Sequence, residues 1–403
     1  MIIGMDIGRN GLAVVCPLVA MPENIKAYLK KPDHPIFRVK PSHKDFDQLL
    51  NMNPTGLVME PTGGWYSQIW AKFGEVHDIP VYWVGHADLK SQRGHFGFPN
   101  KYDDNDALCL AASYFDPQWI DEFGRRRFLP GHLIREVWPL RELVLEYYQV
   151  DKLINAVGNQ LQQRLSYEFP ELAALTWKPS GKGYIEAIAW MAGKQVKAMR
   201  DRQYNDSVAK RLGINFSCYT KEHADLHHSL ELRQLEIEGK LLKAFDNPLF
   251  IPYLRALEPF NFGIGLKGLI LYKVFPFEKF LVNGFPHIER YLSRSNHWQK
   301  RNISLQHFQA YFGLSRRIEQ SGGKEKIKWS GSKLLRSKFY AWVLARVTTR
   351  STSRLRNDLG EYLGAKWDDM KDNDKASGKD AITRVSFMAT RILFQKLRDE
   401  IVF

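Results

Sequence analysis

The chain has 403 residues, 44% hydrophobic and 25% charged, which is ordinary for a folded protein and enough for two or three domains with sizeable cores. No apolar run approaches the ~18 residues that span a membrane, the N-terminus lacks an export pattern, and Cys16, Cys109 and Cys218 are too few and too scattered for a disulfide framework, so a cytoplasmic protein without a membrane partner is expected. The net charge of +14 is segregated: residues 1–115 carry 11 Lys plus Arg against 12 Asp plus Glu, whereas residues 300–356 carry 14 against two.

Residues 1 to about 115 alternate short apolar runs with helical patterns, the order expected of an α/β domain. The runs are Ile2 to Ile7, Leu12 to Val15, Ile36 to Val39, Leu57 to Glu60 and Val81 to Val84. Asp6 lies in the first run, within Gly4-Met5-Asp6-Ile7-Gly8, and Glu60 closes the fourth before the turn Pro61-Thr62-Gly63-Gly64. If those two strands pair, the carboxylates sit side by side. Asp103 and Asp106 are three apart where the helical pattern Ala107 to Phe115 begins, so both leave from one face and Asp104 points away. Four converging carboxylates repel one another and raise some of their own pKa values unless a cation joins them. Oxygen donors suit Mg²⁺, or Mn²⁺, and paired ions ~3.5–4 Å apart serve phosphoryl transfer. Taken singly, each residue also has a plainer explanation: a turn cap, a surface glutamate, helix N-terminal charges that complement the macrodipole.

A long helical stripe follows from Pro139 through Leu140, Leu143, Val144, Tyr147, Leu153, Ile154, Val157, Leu161 and Leu165 to Pro170. A second, near-heptad stripe uses Leu226, Leu230, Arg233, Ile237 and Leu241, and the two helices are expected to pair within the chain or between subunits as a coiled-coil linker. His223 and His227, four apart on the second helix, lack a third ligand and are expected to face solvent. From about Pro252 the pattern is mainly helical, with Phe262-Gly263-Ile264-Gly265-Leu266-Lys267-Gly268 as a turn whose amides could contact a phosphate backbone. Within residues 300–356 the cations interleave with Phe312, Trp329, Phe339, Tyr340 and Trp342, a composition that fits either a nucleic-acid surface or a basic face round an aromatic core. Ser321 stands in Gln320-Ser321-Gly322-Gly323-Lys324 near Arg316, Arg317 and Lys326, where glycines permit close approach and cations could stabilise charge on an attacked phosphate. Asp368 to Asp380 reads as an exposed loop before a last helix, Ile382 to Leu397.

In this order the motifs resemble the DEDD-type insertion-sequence transposases, a family that includes the Piv DNA invertases and the bridge-RNA-guided recombinases. The resemblance runs through Gly4-x-Asp6-x-Gly8, Glu60-x-Thr62-Gly63, Lys101-x-Asp103-x-x-Asp106-Ala107, Gly263-Ile264-Gly265, Ser321-Gly322-Gly323-Lys324 and the downstream Ile327, Gly331, Leu335 and Arg336. It departs from the pattern at Phe260-Asn261-Phe262, where a proline would precede the Gly-Ile-Gly turn, and in a compressed spacing from Lys324 to Ile327. The resemblance implies an RNase H/RuvC-like domain over residues 1–118, a helical oligomerisation linker over 119–250, and a mainly helical serine domain with a degenerate helix-hairpin-helix over 251–403. It implies that Asp6, Glu60, Asp103 and Asp106 bind Mg²⁺ and that Ser321 attacks DNA to give a phosphoserine. The same resemblance implies that Lys101, Gly263, Gly265, Lys267, Arg316, Arg317, Gly322, Gly323, Lys324 and Arg336 contact nucleic acid. Donor and target DNA, a homodimer or homotetramer and, in one branch, a structured guide RNA are the implied partners.

Three other readings stay open from the residues. A RuvC-like nuclease would use the acidic site with metal-activated water and no serine chemistry. An actin-like phosphotransferase would use Met5-Asp6-Ile7-Gly8-Arg9-Asn10-Gly11 as a phosphate loop, but its later phosphate loop is not evident and the basic C-terminal third would be unexplained. A binding protein would keep the fold without catalysis, against the intact acidic set.

Overall fold

The computed structural model describes all residues except 31–34, 62–64, 99, 121–125, 130–135, 294–295, 322–323, 350–353 and 403; at residues 87, 316–321 and 324–328 it describes the backbone alone. The chain divides into two compact units, Met1–Glu136 and Val137–Phe403.

The first unit runs β1 (Ile2–Ile7), β2 (Ala13–Leu18), α1 (Ile25–Tyr28), β3 (Phe37–Val39), α2 (His43–Asn51), β4 (Gly56–Met59), α3 (Gln68–Val76), β5 (Val81–Trp83), α4 (His86–His95) and α5 (Asp103–Phe115). Its strands form one mixed sheet in the order β3-β2-β1-β4-β5. The β1–β2 and β2–β3 pairs are antiparallel, and β1–β4 and β4–β5 are parallel. Strand parity sorts the side chains: Ile3, Met5, Ile7, Leu57 and Met59 pack with Leu49, Trp70 and Phe73, while Ile2, Val14, Cys16 and Val58 pack with residues 107–112 of α5. The expected second strand is shifted. Asn10 and Gly11 take left-handed conformations (φ 63° and 75°), so Leu12 stays about half exposed at the turn and pairing runs on to Leu18.

α5 sits on the sheet as closely as a helix can because both surfaces are bare where they meet. A Cβ on Gly4 would lie 2.2 Å from the Ala107 carbonyl oxygen and 2.4 Å from the Ala111 amide nitrogen. Residues 107–112 are all fully buried.

The second unit contains α6 (Trp138–Glu168), α7 (Pro170–Ala173), α8 (Glu186–Met191), α9 (Ala198–Asn205), α10 (Val208–Arg211), α11 (Cys218–Phe245), α12 (Ile251–Leu257) and α13 (Ile264–Val274). It continues with β6 (Ile288–Leu292), β7 (Trp298–Asn302), α14 (Ile303–Tyr311), β8 (Ser315–Ser321), β9 (Lys324–Ser330), α15 (Lys333–Val343), α16 (Asp358–Asp372) and α17 (Gly378–Ile401). The two long helices pair within the chain, α6 against α11, and the expected seam holds in its second half, where Arg233 bonds Glu146 of α6 and Ile237 and Leu241 are buried, but fails at its start. Leu226 is 48% exposed, whereas Ala224, His227, His228 and Glu231 are buried, because α11 must also meet α8. Gly158 of α6 makes room for the His227 ring, and Glu231 accepts the Ile185 amide at 3.0 Å. The expectation of a solvent-facing His227 is therefore wrong; His223, stacked on Tyr219, is the accessible one of the two.

Two further expectations change. The acidic and basic run from Asp368 is helical to Asp372, since Asn357 caps α16 through the Gly360 amide and the helix ends only there, and the last helix starts at Gly378 under a Ser377 cap rather than at Ile382. Of the five interleaved aromatics, Phe312, Phe339 and Trp342 are core residues that pack against one another, and only Trp329 and Tyr340 reach the surface.

Candidate active site

The parallel register of β1 and β4 pairs Met5 with Met59, so the next residues, Asp6 and Glu60, are neighbours. Parity turns both away from the Met5–Met59 core and toward α5. The first turn of α5 carries Asp103, Asp104 and Asp106, where acidic side chains complement the helix dipole. Asp6 and Glu60 are each 7% exposed and Asp106 1%, while Asp103 is open to solvent. Asp104 turns outward to an exposed ion pair with Arg38 at 3.3 Å, as its position between the other two requires.

Burial first, then the charges of Asp106, Glu60 and Asp103, push the Asp6 carboxyl up to about 7; Lys101 opposes them. Asp106 is pushed up to about 6, again chiefly by burial, with Arg93 and Lys101 pulling the other way. Two partners here are not evident from sequence. His86 Nδ1 lies 2.7 Å from Glu60 Oε2, and that hydrogen bond raises the histidine's pKa. Arg93 Nε lies 3.1 Å from Asp106 Oδ1, yet neither buried atom has a hydrogen-bond partner, so the contact is an ion pair of poor hydrogen-bond geometry. The only hint in the sequence was that both belong to the helical segment after the fifth apolar run, beside the strand that ends in Glu60. A groove of about 490 Å³ passes Asp6 and Asp103 and carries Arg9, Arg38 and Lys40 on its walls.

The donor set suits a hard divalent cation: every candidate ligand atom is a carboxylate oxygen, two of the groups are buried against their own repulsion, and Asp106 Oδ1 lacks a hydrogen-bond donor. Among the described residues, no three His, Cys, Asp or Glu side chains form a ready-made metal cage, so a bound ion would have to draw these side chains inward.

In the second unit Ser321 ends β8, directly opposite Lys324 of β9 in an antiparallel hairpin. The flanking segments form a pair of seven-residue strands with the serine at the last register position. Gly322 and Gly323 lie outside the described residues, as do Thr62 and Gly63; the side chains of Ser321, Arg316, Arg317, Lys324, Lys326 and Ile327 are likewise outside the description. Downstream, Gly331 (φ 86°) is obligatory, because a Cβ there would lie 1.8 Å from the Ala310 carbonyl oxygen. Leu335 is buried. Arg336 donates to the Gly313 carbonyl at 3.0 Å and stacks 5.8 Å from the Trp329 ring, which gives it a structural task inside the unit. At the glycine turn, Gly263 precedes α13 and is exposed, Lys267 is half-buried, and Gly265 is packed on α6, where a Cβ would lie 2.3 Å from the Tyr147 ring.

Residues 298–358 match the model of a family described as the IS116/IS110/IS902 transposase family. The matched span starts at β7, includes the serine hairpin and α15, and ends where α16 begins. The match supports a transposase of an insertion sequence, a DNA-processing enzyme with DNA as its partner. No curated protein matches the chain significantly. No helix among the described residues is long and apolar enough to cross a membrane.

Proposed function

We propose that this protein is a recombinase of a mobile element that cuts and rejoins DNA with an RNase H/RuvC-like acidic site and a serine nucleophile. The observation that carries the reading is the placement of Asp6, Glu60 and Asp106 on one sheet face beneath the first turn of α5, with Asp103 at its rim. The sheet order, three antiparallel strands continued by two parallel ones, suits that fold. Support for the serine comes from the family match, which spans the Ser321 hairpin.

Asp6, Glu60, Asp103 and Asp106 would hold Mg²⁺, or Mn²⁺, which when bound supplies charge stabilisation to a phosphate undergoing displacement. His86 positions Glu60, and Arg93 offsets charge on Asp106. Arg9, Arg38 and Lys40 line the groove by which a phosphate backbone would reach Asp6. Ser321 Oγ would lose its proton and bond to phosphorus as the bond from phosphorus to a deoxyribose oxygen breaks, giving a phosphoserine and a free sugar hydroxyl. Attack by another strand's hydroxyl would then restore the serine and join the new junction. A structured guide RNA would choose the sites by base pairing, and a homodimer or homotetramer would supply paired sites.

The test is to sequence new DNA junctions in cells carrying this chain with its native flanking DNA, comparing wild type with Asp106→Ala and Ser321→Ala. Junctions in the wild type alone support the reading. Junctions that persist in Ser321→Ala would remove the serine chemistry and leave a metal-dependent nuclease as the better account.

A further inference from the structure

The β6–β7 hairpin is a sheet without a core. Apart from half-buried Asn302, every residue of its two strands is exposed, including Trp298 (73%), Ile288, Tyr291 and Leu292. An isolated two-stranded ribbon with both faces in water gains little from burial, so its composition answers to something else. Register decides what each face presents. Ile288 pairs with Asn302, Arg290 with Lys300 and Leu292 with Trp298 on one face, and Glu289 with Arg301 and Tyr291 with Gln299 on the other. Arg290 directly opposite Lys300 is a like-charge pair that destabilises a ribbon on its own. Among the described residues, no carboxylate lies within ion-pair distance of either.

Beside the ribbon a groove of about 710 Å³ opens between Lys300 and Arg301 of β7, Gln306 of α14, and Arg391 and Arg398 of α17. Among the described residues no carboxylate lines it, and of its four cations Arg398 alone forms an ion pair, with Asp399. A cation pair flanked by exposed apolar and aromatic groups, standing next to an acid-free cationic groove, calls for a polyanion with planar or apolar surface between its charges.

We infer that the β6–β7 ribbon is an arm that enters the major groove of duplex DNA, with Arg290 and Lys300 on phosphates, Trp298 and Leu292 against base edges, and the neighbouring groove receiving the backbone. Five residue pairs span about 17 Å, and a two-stranded ribbon is of a size that B-form major groove admits. A ribbon that buries neither face is free to enter such a groove, whereas A-form RNA has too narrow a major groove to accept it. The inference shares with the recombinase reading only its choice of DNA.

Fluorescence anisotropy of the full chain with a labelled mixed-sequence DNA duplex of about three helical turns tests it. Arg290→Ala with Lys300→Ala is expected to weaken binding about tenfold and to lower the slope of log affinity against log salt by about 2, one phosphate contact per cation. Trp298→Ala is expected to weaken binding with the salt slope unchanged, since the indole neutralises nothing. Both variants should keep the wild-type melting temperature, because the ribbon buries so little. Wild-type-like duplex binding by both variants overturns the inference. So does a wild type that ignores the DNA duplex, or one whose ribbon-dependent binding is confined to single strands or RNA. The assay involves no strand exchange, so a ribbon that binds in a chain making no junctions sinks the recombinase reading alone, and junctions from a chain whose ribbon variants bind normally sink this inference alone.

Discussion

The two units handle charge in opposite ways. In Met1–Glu136 carboxylates are drawn out of water onto one sheet face and pushed to about 7 and about 6 at Asp6 and Asp106. In Val137–Phe403 the excess cations stay on surfaces, notably the β6–β7 ribbon and the groove beside it, while the aromatics among them are divided between core and exterior. Burial raises the free energy of an ion; exposure lets it screen. A buried acidic cluster is therefore a site awaiting a specific counter-ion, and an exposed basic surface is suited to a large, hydrated polyanion.

The largest effect expected is the loss of junctions to background in Asp106→Ala and Ser321→Ala, which checks whether both units contribute to one reaction. Next comes Gly331→Ala. Its Cβ cannot clear the Ala310 carbonyl and its backbone is left-handed, so thermal denaturation should show a fall of about 2–4 °C for each kcal/mol lost, larger than for an alanine at exposed Gly378. An unchanged midpoint would mean that the turn between β9 and α15 is not as tight as described.

A smaller effect tests the acidic side. Asp6 holds its proton to about 7 in the folded chain against an ordinary 3.8, so between those values the folded state binds a proton that the unfolded state has released. Stability must then fall as pH rises through that window. Added Mg²⁺ should raise the melting temperature more at pH 8 than at pH 5, and Asp6→Asn should raise the metal-free midpoint at pH 8 while abolishing most of the Mg²⁺ response. A Mg²⁺ shift independent of pH and of Asp6 would place the ion elsewhere. The smallest effect expected is at His86, which touches Glu60 rather than any reacting atom. His86→Ala should weaken Mg²⁺ binding by about tenfold, read by thermal shift against metal concentration, with His86→Gln recovering part of it.

What was legible was local. The runs Ile2 to Ile7 and Leu57 to Glu60 made Asp6 and Glu60 neighbours on condition that their strands pair, as they do, and the three-residue spacing of Asp103 and Asp106 separated them from Asp104. The near-heptad stripe of α11 held at Arg233, Ile237 and Leu241 but misled at its start, because there one helix serves two neighbours, α6 and α8, and the buried face filled with Ala224, His227 and Glu231 rather than with leucines. The strand pairing on either side of Ser-Gly-Gly left no signal in the sequence because charged strands such as β8 and β9 lack the apolar alternation that marks a half-buried strand.

By itself the sequence determined the order of strands and helices in the first unit, the four acidic positions and the partition of charge, since these depend on periodicity and composition along the chain. Only tertiary structure decided that Gly4 lets α5 settle onto β1, that His86 and Arg93 attend the carboxylates, that Arg336 is occupied inside its unit, and that the β6–β7 ribbon stands bare beside a cationic groove. Each of those joins residues far apart in the chain, and packing between elements leaves no periodic trace within either of them.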